Sequence, residues 1–163
     1  MRTKICLILL LISLRLYAPE DIYIRQESIF VDHKITQKQK EIHEKVLRIV
    51  SVIRSIESGG DYYAIGESGE FGGYQFLEST WRLYSYAYFG EVLEMTPENQ
   101  DMVAYLKVKS LIDKGYSPEE IASIWNSGSP RWEGKRGRNR WGVRYDVPKY
   151  VSKFKNKYYG QEI

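Results

Sequence analysis

The feature that most constrains this chain is an apolar stripe that ends in a carboxylate. Ile42, Val46, Ile49, Val50 and Ile53 recur at helical spacing, so one face of a helix must turn toward a core. Glu57 is next on that stripe, and Gly59 and Gly60 then stop the helix. Thr36 and Gln39 read as a capping box at its start. A carboxyl on the last turn of a buried face meets two effects that raise its pKa. Burial disfavours the ionised form, and the helix C-terminus is the negative end of the dipole. A carboxyl kept protonated near neutral pH is what a general acid requires. The competing outcome is a glutamate that turns out to solvent at a frayed helix end.

The chain has 163 residues, enough for one core and too few for two ordinary domains. Arg2 and Lys4 precede an apolar run from Ile5 to Leu14, and Leu16-Tyr17-Ala18 offers a cleavage site. Residues 1–18 therefore read as an export signal, which places the protein outside the cytoplasm, secreted or in the cell envelope. Arg15, Tyr17 and Pro19 suit a cut poorly, so the same segment also reads as an uncleaved N-terminal anchor attaching the chain to a membrane. The run is shorter than the roughly twenty apolar residues of a full span. Residues 19–35 are polar and read as an irregular linker or arm, which leaves 36–163 as the domain.

Cys6 is the only cysteine and lies in the leading segment, so the mature region has none for a disulfide. His33 and His43 stand ten residues apart, and with no cysteine near them the sequence shows no metal constellation and no phosphate loop. No cofactor is expected. Arg2, Lys4 and Arg15 account for the net charge of +3, and the remaining neutrality is unevenly spread. Residues 57–101 carry nine acidic side chains and only Arg82 as a base, whereas 131–157 carry ten basic ones against Glu133 and Asp146. One part of the surface should be negative and another positive.

Beyond Glu57, the Gly, Tyr and short polar residues of 61–73 predict a loop or small hairpin folded across the helix end. Ser79 or Thr80 caps a helix from Trp81 to Phe89, stopped by Gly90. Thr96-Pro97 opens another, with Met102, Val103, Leu106 and Ile112 as its apolar face and Gly115 as its end. Ser117, Pro118 and Glu120 form a capping box with proline at the first helical position, starting a helix to about Asn126. A Gly- and Arg-rich loop follows, then a last helix from Pro148 to Tyr158 with Val151 and Phe154 inward. The expected fold is mainly α, one domain with a small loop or β-hairpin after the Glu57 helix.

From Glu57 the chain reads ESGGDYYAIGESGEFGGYQFLESTW. This resembles the signature of lytic transglycosylases and of the resuscitation-promoting-factor type of cell-wall glycosidase, all lysozyme-like. In both, a catalytic Glu opens an E-S-G motif and a Gln follows eighteen positions on, here Gln75. Gly72, Gly73, Gln75, Phe76, Ser79, Thr80 and Trp81 match the resuscitation-factor pattern, and Asp61 and Ala64 the transglycosylase pattern. Trp125-Asn126-Ser127-Gly128 resembles a Tyr-Asn-Ala-Gly motif that ends a helix beside the active site, and Tyr150-Val151 a late Tyr-Val whose Tyr faces the catalytic Glu. Two departures stand out. Glu70 replaces a small or aromatic residue, and Gly66 stands near a position where the family usually has a hydroxyl, with Ser68 close by.

The resemblance implies a lysozyme-like domain that cleaves the bond between N-acetylmuramic acid and N-acetylglucosamine in peptidoglycan glycan strands. Glu57 would protonate the glycosidic oxygen and then, as carboxylate, take a proton from the sugar's own 6-hydroxyl, leaving an anhydro end. Tyr74, Gln75, Asn126 and Tyr150 are the implied substrate-binding residues, and Glu70 is the acid most able to change the outcome. A second carboxylate that activates water, or attacks directly, would make the protein a hydrolytic muramidase. A non-catalytic wall-binding or secretion-scaffold protein of the same fold is the reading from another class. The loop from Arg131 to Trp141 interleaves bases with aromatics. In a cytosolic protein that composition suggests nucleic acid; with an export signal, anionic cell-wall polymers are a simpler target, and a merely solvated loop is simpler still.

Overall fold

Between Pro19 and Glu57 the chain contains no glycine and no further proline, and nothing in it interrupts a helix. The computed structural model describes residues 19–139 and 142–160, with side chains from Thr36 onward. In it Pro19–Glu57 forms one 39-residue helix, α1. This corrects the expected irregular arm over 19–35 and the expected helix start at Thr36. A polar composition reads as irregular, but polar residues propagate a helix readily once proline opens it. The leading segment 1–18, with Cys6, lies outside the described residues. So do Arg140 and Trp141.

The chain divides into two units, residues 1–41 and 42–163. The second unit holds the core. After α1 come α2 (Glu78–Phe89), α3 (Pro97–Asp113), α4 (Pro118–Ser127), a two-stranded antiparallel hairpin of β1 (Arg136–Arg138) and β2 (Arg144–Asp146), and α5 (Val147–Tyr159). The described chain is thus mainly helical, as its pattern predicts. The hairpin occupies what reads in sequence as a Gly- and Arg-rich loop.

Of the α1 stripe, Val46, Ile49, Val50 and Ile53 are buried and Ile42 partly so; with Val52 they pack with Trp81 of α2, Val103, Ala104 and Val108 of α3, Ile121 and Ala122 of α4, and Phe154 and Tyr158 of α5. Tyr74 and Phe76 enter this core from the segment after Glu57. The α4 capping box forms as expected. Ser117 Oγ accepts from the Glu120 amide at 3.2 Å, and Glu120 Oε2 accepts from the Ser117 amide at 2.8 Å. Thr96 caps α3 by accepting from the Asn99 amide. Helix α2 starts earlier than expected, at Glu78 with Leu77 before it, and no side chain caps it. Ser79 and Thr80 lie within its first turn.

The inward face of α3 differs from the apolar residues that mark it in sequence. Gln100, Val103, Ala104, Lys107 and Val108 are buried, whereas Met102 is 46 % exposed. The spacing is helical, but two of its five positions are polar, so a reading by apolar residues alone rotates the face. Both polar residues help to build the site.

Candidate active site

Glu57 sits on the last turn of α1. Gly59 and Gly60 follow with φ of 70° and 103°, a left-handed turn that side chains disfavour. Ser58 ties this helix end to the next segment: its hydroxyl donates to the Gly73 carbonyl at 2.9 Å and accepts from the Gly60 amide at 3.1 Å. The Glu57 carboxyl is partly buried, and Tyr150 of α5 donates its hydroxyl to Oε1 at 2.7 Å. Burial pushes the Glu57 pKa up to about 7. The Tyr150 bond and the positive charges of Lys107 and Lys153 pull it down, and Glu70 raises it. Both protonation states are therefore populated near neutral pH, which suits a group that first gives a proton and then takes one.

The segment from Asp61 to Phe76 is held by short backbone bridges, Ile65 to Phe71 and Phe71 to Phe76. Gln100, fully buried, pins it from α3. Its Oε1 accepts from the Gly73 amide at 2.8 Å, and its Nε2 donates to the carbonyls of Tyr62 and Met95 at 3.1 and 3.0 Å. Gly72 has φ of 87°, and a Cβ there would run into the Gln100 amide, so the close approach needs glycine. At Gly66 the Gln75 and Glu70 side chains fill the space a Cβ would take. That is why a hydroxyl-bearing side chain has no room at 66.

Gln75 itself adopts φ of 50°, unusual for a residue other than glycine. Its Nε2 donates to the carbonyls of Gly72 at 2.9 Å and Ala64 at 3.2 Å. The amide hydrogens are thus spent on the backbone, and Oε1 is the atom left to accept from a ligand hydroxyl. Glu70 Oε2 accepts from the Ser68 amide at 3.0 Å.

Five of the residues singled out in sequence come together. Glu57 and Asn126 line both lobes of one cleft. Tyr150 lines the larger lobe, of about 900 Å³, together with the β1–β2 hairpin and the start of α5. Gln75 and Glu70 line the smaller, of about 340 Å³. Asn126 is exposed on the last turn of α4, which stops at Gly128, so its side chain is free of capping duty. Tyr74 is not among them. It is buried in the core and donates its hydroxyl to Asp101 at 2.6 Å, away from the lobes that Glu57 lines. It positions the segment, and the expected substrate contact at Tyr74 is withdrawn on that geometry.

Lys107 is the site residue that the sequence reading missed. It is 6 % exposed, lines the smaller lobe, and holds its ammonium 3.9 Å from the Trp125 ring centroid and 4.7 Å from that of Tyr84. Desolvated cation–π contacts of this kind contribute about 2 kcal/mol, which offsets part of the cost of burying the charge. Burial lowers the Lys107 pKa to about 8, and Glu57 opposes that shift. Its one signal in sequence is position: it falls on the Gln100, Val103, Ala104, Val108 stripe.

No group of three or more His, Cys, Asp or Glu side chains that would hold a metal ion occurs among the described residues. No family model, curated protein or solved structure matches this chain.

Proposed function

We propose that this chain is a peptidoglycan-cleaving lytic transglycosylase acting between N-acetylmuramic acid and N-acetylglucosamine. The observation that carries the reading is a carboxyl with a pKa of about 7, oriented by Tyr150, at the junction of the two cleft lobes. A polysaccharide lying along both lobes brings one glycosidic oxygen to Glu57. Protonated Glu57 donates to that oxygen as the bond to the anomeric carbon breaks. The resulting carboxylate then takes the proton of the sugar's 6-hydroxyl, whose oxygen closes on the anomeric carbon. The proton returns to Glu57 and no water is consumed. Asn126 and the Gln75 Oε1 are the polar groups for sugar hydroxyls and acetamido groups.

Hydrolysis by the same site is the second reading, and one observation favours it: Glu70 lines the smaller lobe with Glu57. A carboxylate there would activate water or attack the anomeric carbon directly. Digestion of purified wall in heavy-oxygen water distinguishes the two. Unlabelled anhydro-muramic ends, with Glu70→Gln still active, are expected. Labelled reducing ends, lost in Glu70→Gln, would assign the second acid and the hydrolytic outcome. This substrate lies outside the cytoplasm, so the reading includes export directed by residues 1–18; a reporter fused to them should leave the cytoplasm. No helix among the described residues is long and apolar enough to cross a membrane.

A further inference from the structure

Lys107 is 6 % exposed, and what remains open faces the smaller lobe. Elsewhere rings surround it. Its ammonium lies 3.9 Å from the Trp125 ring centroid, 4.7 Å from that of Tyr84 and 5.9 Å from that of Phe76. Among the described residues no oxygen accepts a hydrogen bond from it and no carboxylate pairs with it. An ammonium carries three donors, and ring faces attract its charge without taking up those donors in directed bonds. Nor is it sealed from the lobe, since the buried side-chain atom left unpaired among the described residues is Ser85 Oγ. A donor so far desolvated gains most from an acceptor that a ligand brings.

The rest of the lobe says which acceptor fits. Glu57, Glu67 and Glu70 share it, so an anion there meets three carboxyl groups for one ammonium. A neutral carbonyl oxygen accepts from Lys107 without that repulsion. Trp125 and Phe76 line the lobe and give apolar surface beside the ammonium, where a small alkyl group can rest. Gln75 Oε1 and Glu70 Oε2, which also line the lobe, lie together against Gly66. Both are acceptors, because the Gln75 amide hydrogens are bonded to the carbonyls of Gly72 and Ala64. One donor, an apolar corner and a pair of acceptors match the carbonyl, the methyl and the N–H of an acetamido group.

We infer that Lys107 makes the smaller lobe selective for an N-acetylated amino sugar, donating to the acetyl oxygen while Trp125 and Phe76 take the methyl. This rests on the glycan reading of the cleft and specifies which strands it accepts. Where the acetyl group has been removed, the sugar nitrogen is an ammonium at neutral pH. It offers Lys107 no acceptor and repels it across a desolvated lobe. Lys107 is then a specificity residue that discriminates against de-N-acetylated glycan.

Calorimetric binding to the Glu57→Gln protein tests this without cleavage. The probes are the N-acetylglucosamine tetramer, the same tetramer de-N-acetylated, and the tetramer N-succinylated, so that each acyl group carries a carboxylate. The N-acetylated probe should bind about tenfold more tightly than the de-N-acetylated one, the scale of one hydrogen bond to a charged group. That preference should fall below about twofold when Lys107→Met is added. In protein labelled with nitrogen-15 lysine, the N-acetylated probe should also slow exchange of the Lys107 ammonium protons with water, a readout that needs no Lys107 variant. A preference unchanged in Lys107→Met, or Lys107 exchange indifferent to the probe, would overturn the inference. Equal affinity for the acetylated and de-N-acetylated probes would overturn it while leaving the glycan reading intact. Tighter binding of the N-succinylated probe would overturn it in favour of an anion site. Binding of no probe at all would overturn the glycan reading itself, and the inference with it.

Discussion

Tyr150 Oη donates to Glu57 Oε1 at 2.7 Å, joining side chains 93 residues apart in the chain. A hydrogen bond to the ionised form stabilises that form, so this contact opposes the burial that raises the Glu57 pKa. Tyr150→Phe should raise the apparent pKa of Glu57 further, read by carbon-13 NMR of labelled glutamate carboxyls. The alkaline limb of wall cleavage should move to higher pH with it, because more Glu57 stays protonated. The rate should fall by about tenfold, the usual scale for losing a hydrogen bond to a charged group.

Glu57→Gln should abolish cleavage by about a hundred- to ten-thousand-fold, the range of general acid–base contributions. It should also stabilise the protein, but only at higher pH. The folded pKa, about 7, lies above the unfolded value of 4.5, so the folded state holds the extra proton between them. The stability this gives wild type is fully present below pH 4.5 and is lost as pH rises through 7. Urea denaturation at pH 4 and pH 8 should show little difference between variant and wild type at the lower pH. At the higher pH the variant should gain on the order of 1–3 kcal/mol.

Lys107→Met keeps an unbranched chain among Trp125, Tyr84 and Phe76 and removes the charge. Loss of that charge should raise the Glu57 pKa, in the same NMR titration. The Lys107 pKa is lowered from 10.5 to about 8, so between those values the unfolded chain binds the extra proton and wild-type stability rises with pH. Denaturation curves at pH 7.5 and pH 10 should show that rise in wild type and its absence in Lys107→Met.

Gln100→Leu should cost about 2–4 kcal/mol in thermal or urea unfolding, because it strands the Gly73 amide and the Tyr62 and Met95 carbonyls in the interior. Hydrogen exchange at Gly73 should accelerate with it. Protection of Gly73 unchanged in the variant would show that Gln100 does not pin the segment.

Where local chemistry decides the structure, the sequence was readable. The Ser117–Glu120 box, the Thr96-Pro97 start and the inward faces of α1 and α5 follow from residues within a turn or two of one another. Glu57, Asn126 and Tyr150, which line the cleft, were readable because the motif resemblance marks them. Lys107 and Gln100 were not, since only tertiary packing says that a polar residue on an amphipathic helix faces inward. Tyr74 failed for the related reason that a tyrosine beside a motif residue serves equally well as packing, and Asp101, its partner, lies 27 residues away. The hairpin's two strands are three residues each and charged, too short to show an alternating pattern.

Helix α5 closes on the last turns of α1. Beside Tyr150 and Glu57, Lys157 of α5 donates to Ser55 of α1 at 3.0 Å, and Arg48 of α1 donates to the Tyr158 carbonyl. Helix α5 is also the last described element to leave the ribosome. Glu57 therefore has no Tyr150 partner until the chain has been made through α5. A chain that ends before Val147 carries Glu57, Gln75 and Asn126 but neither Tyr150 nor the α5 lysines of the larger lobe. On the transglycosylase reading, a product truncated before this thirteen-residue helix would keep Glu57 and lack the side chain that orients it.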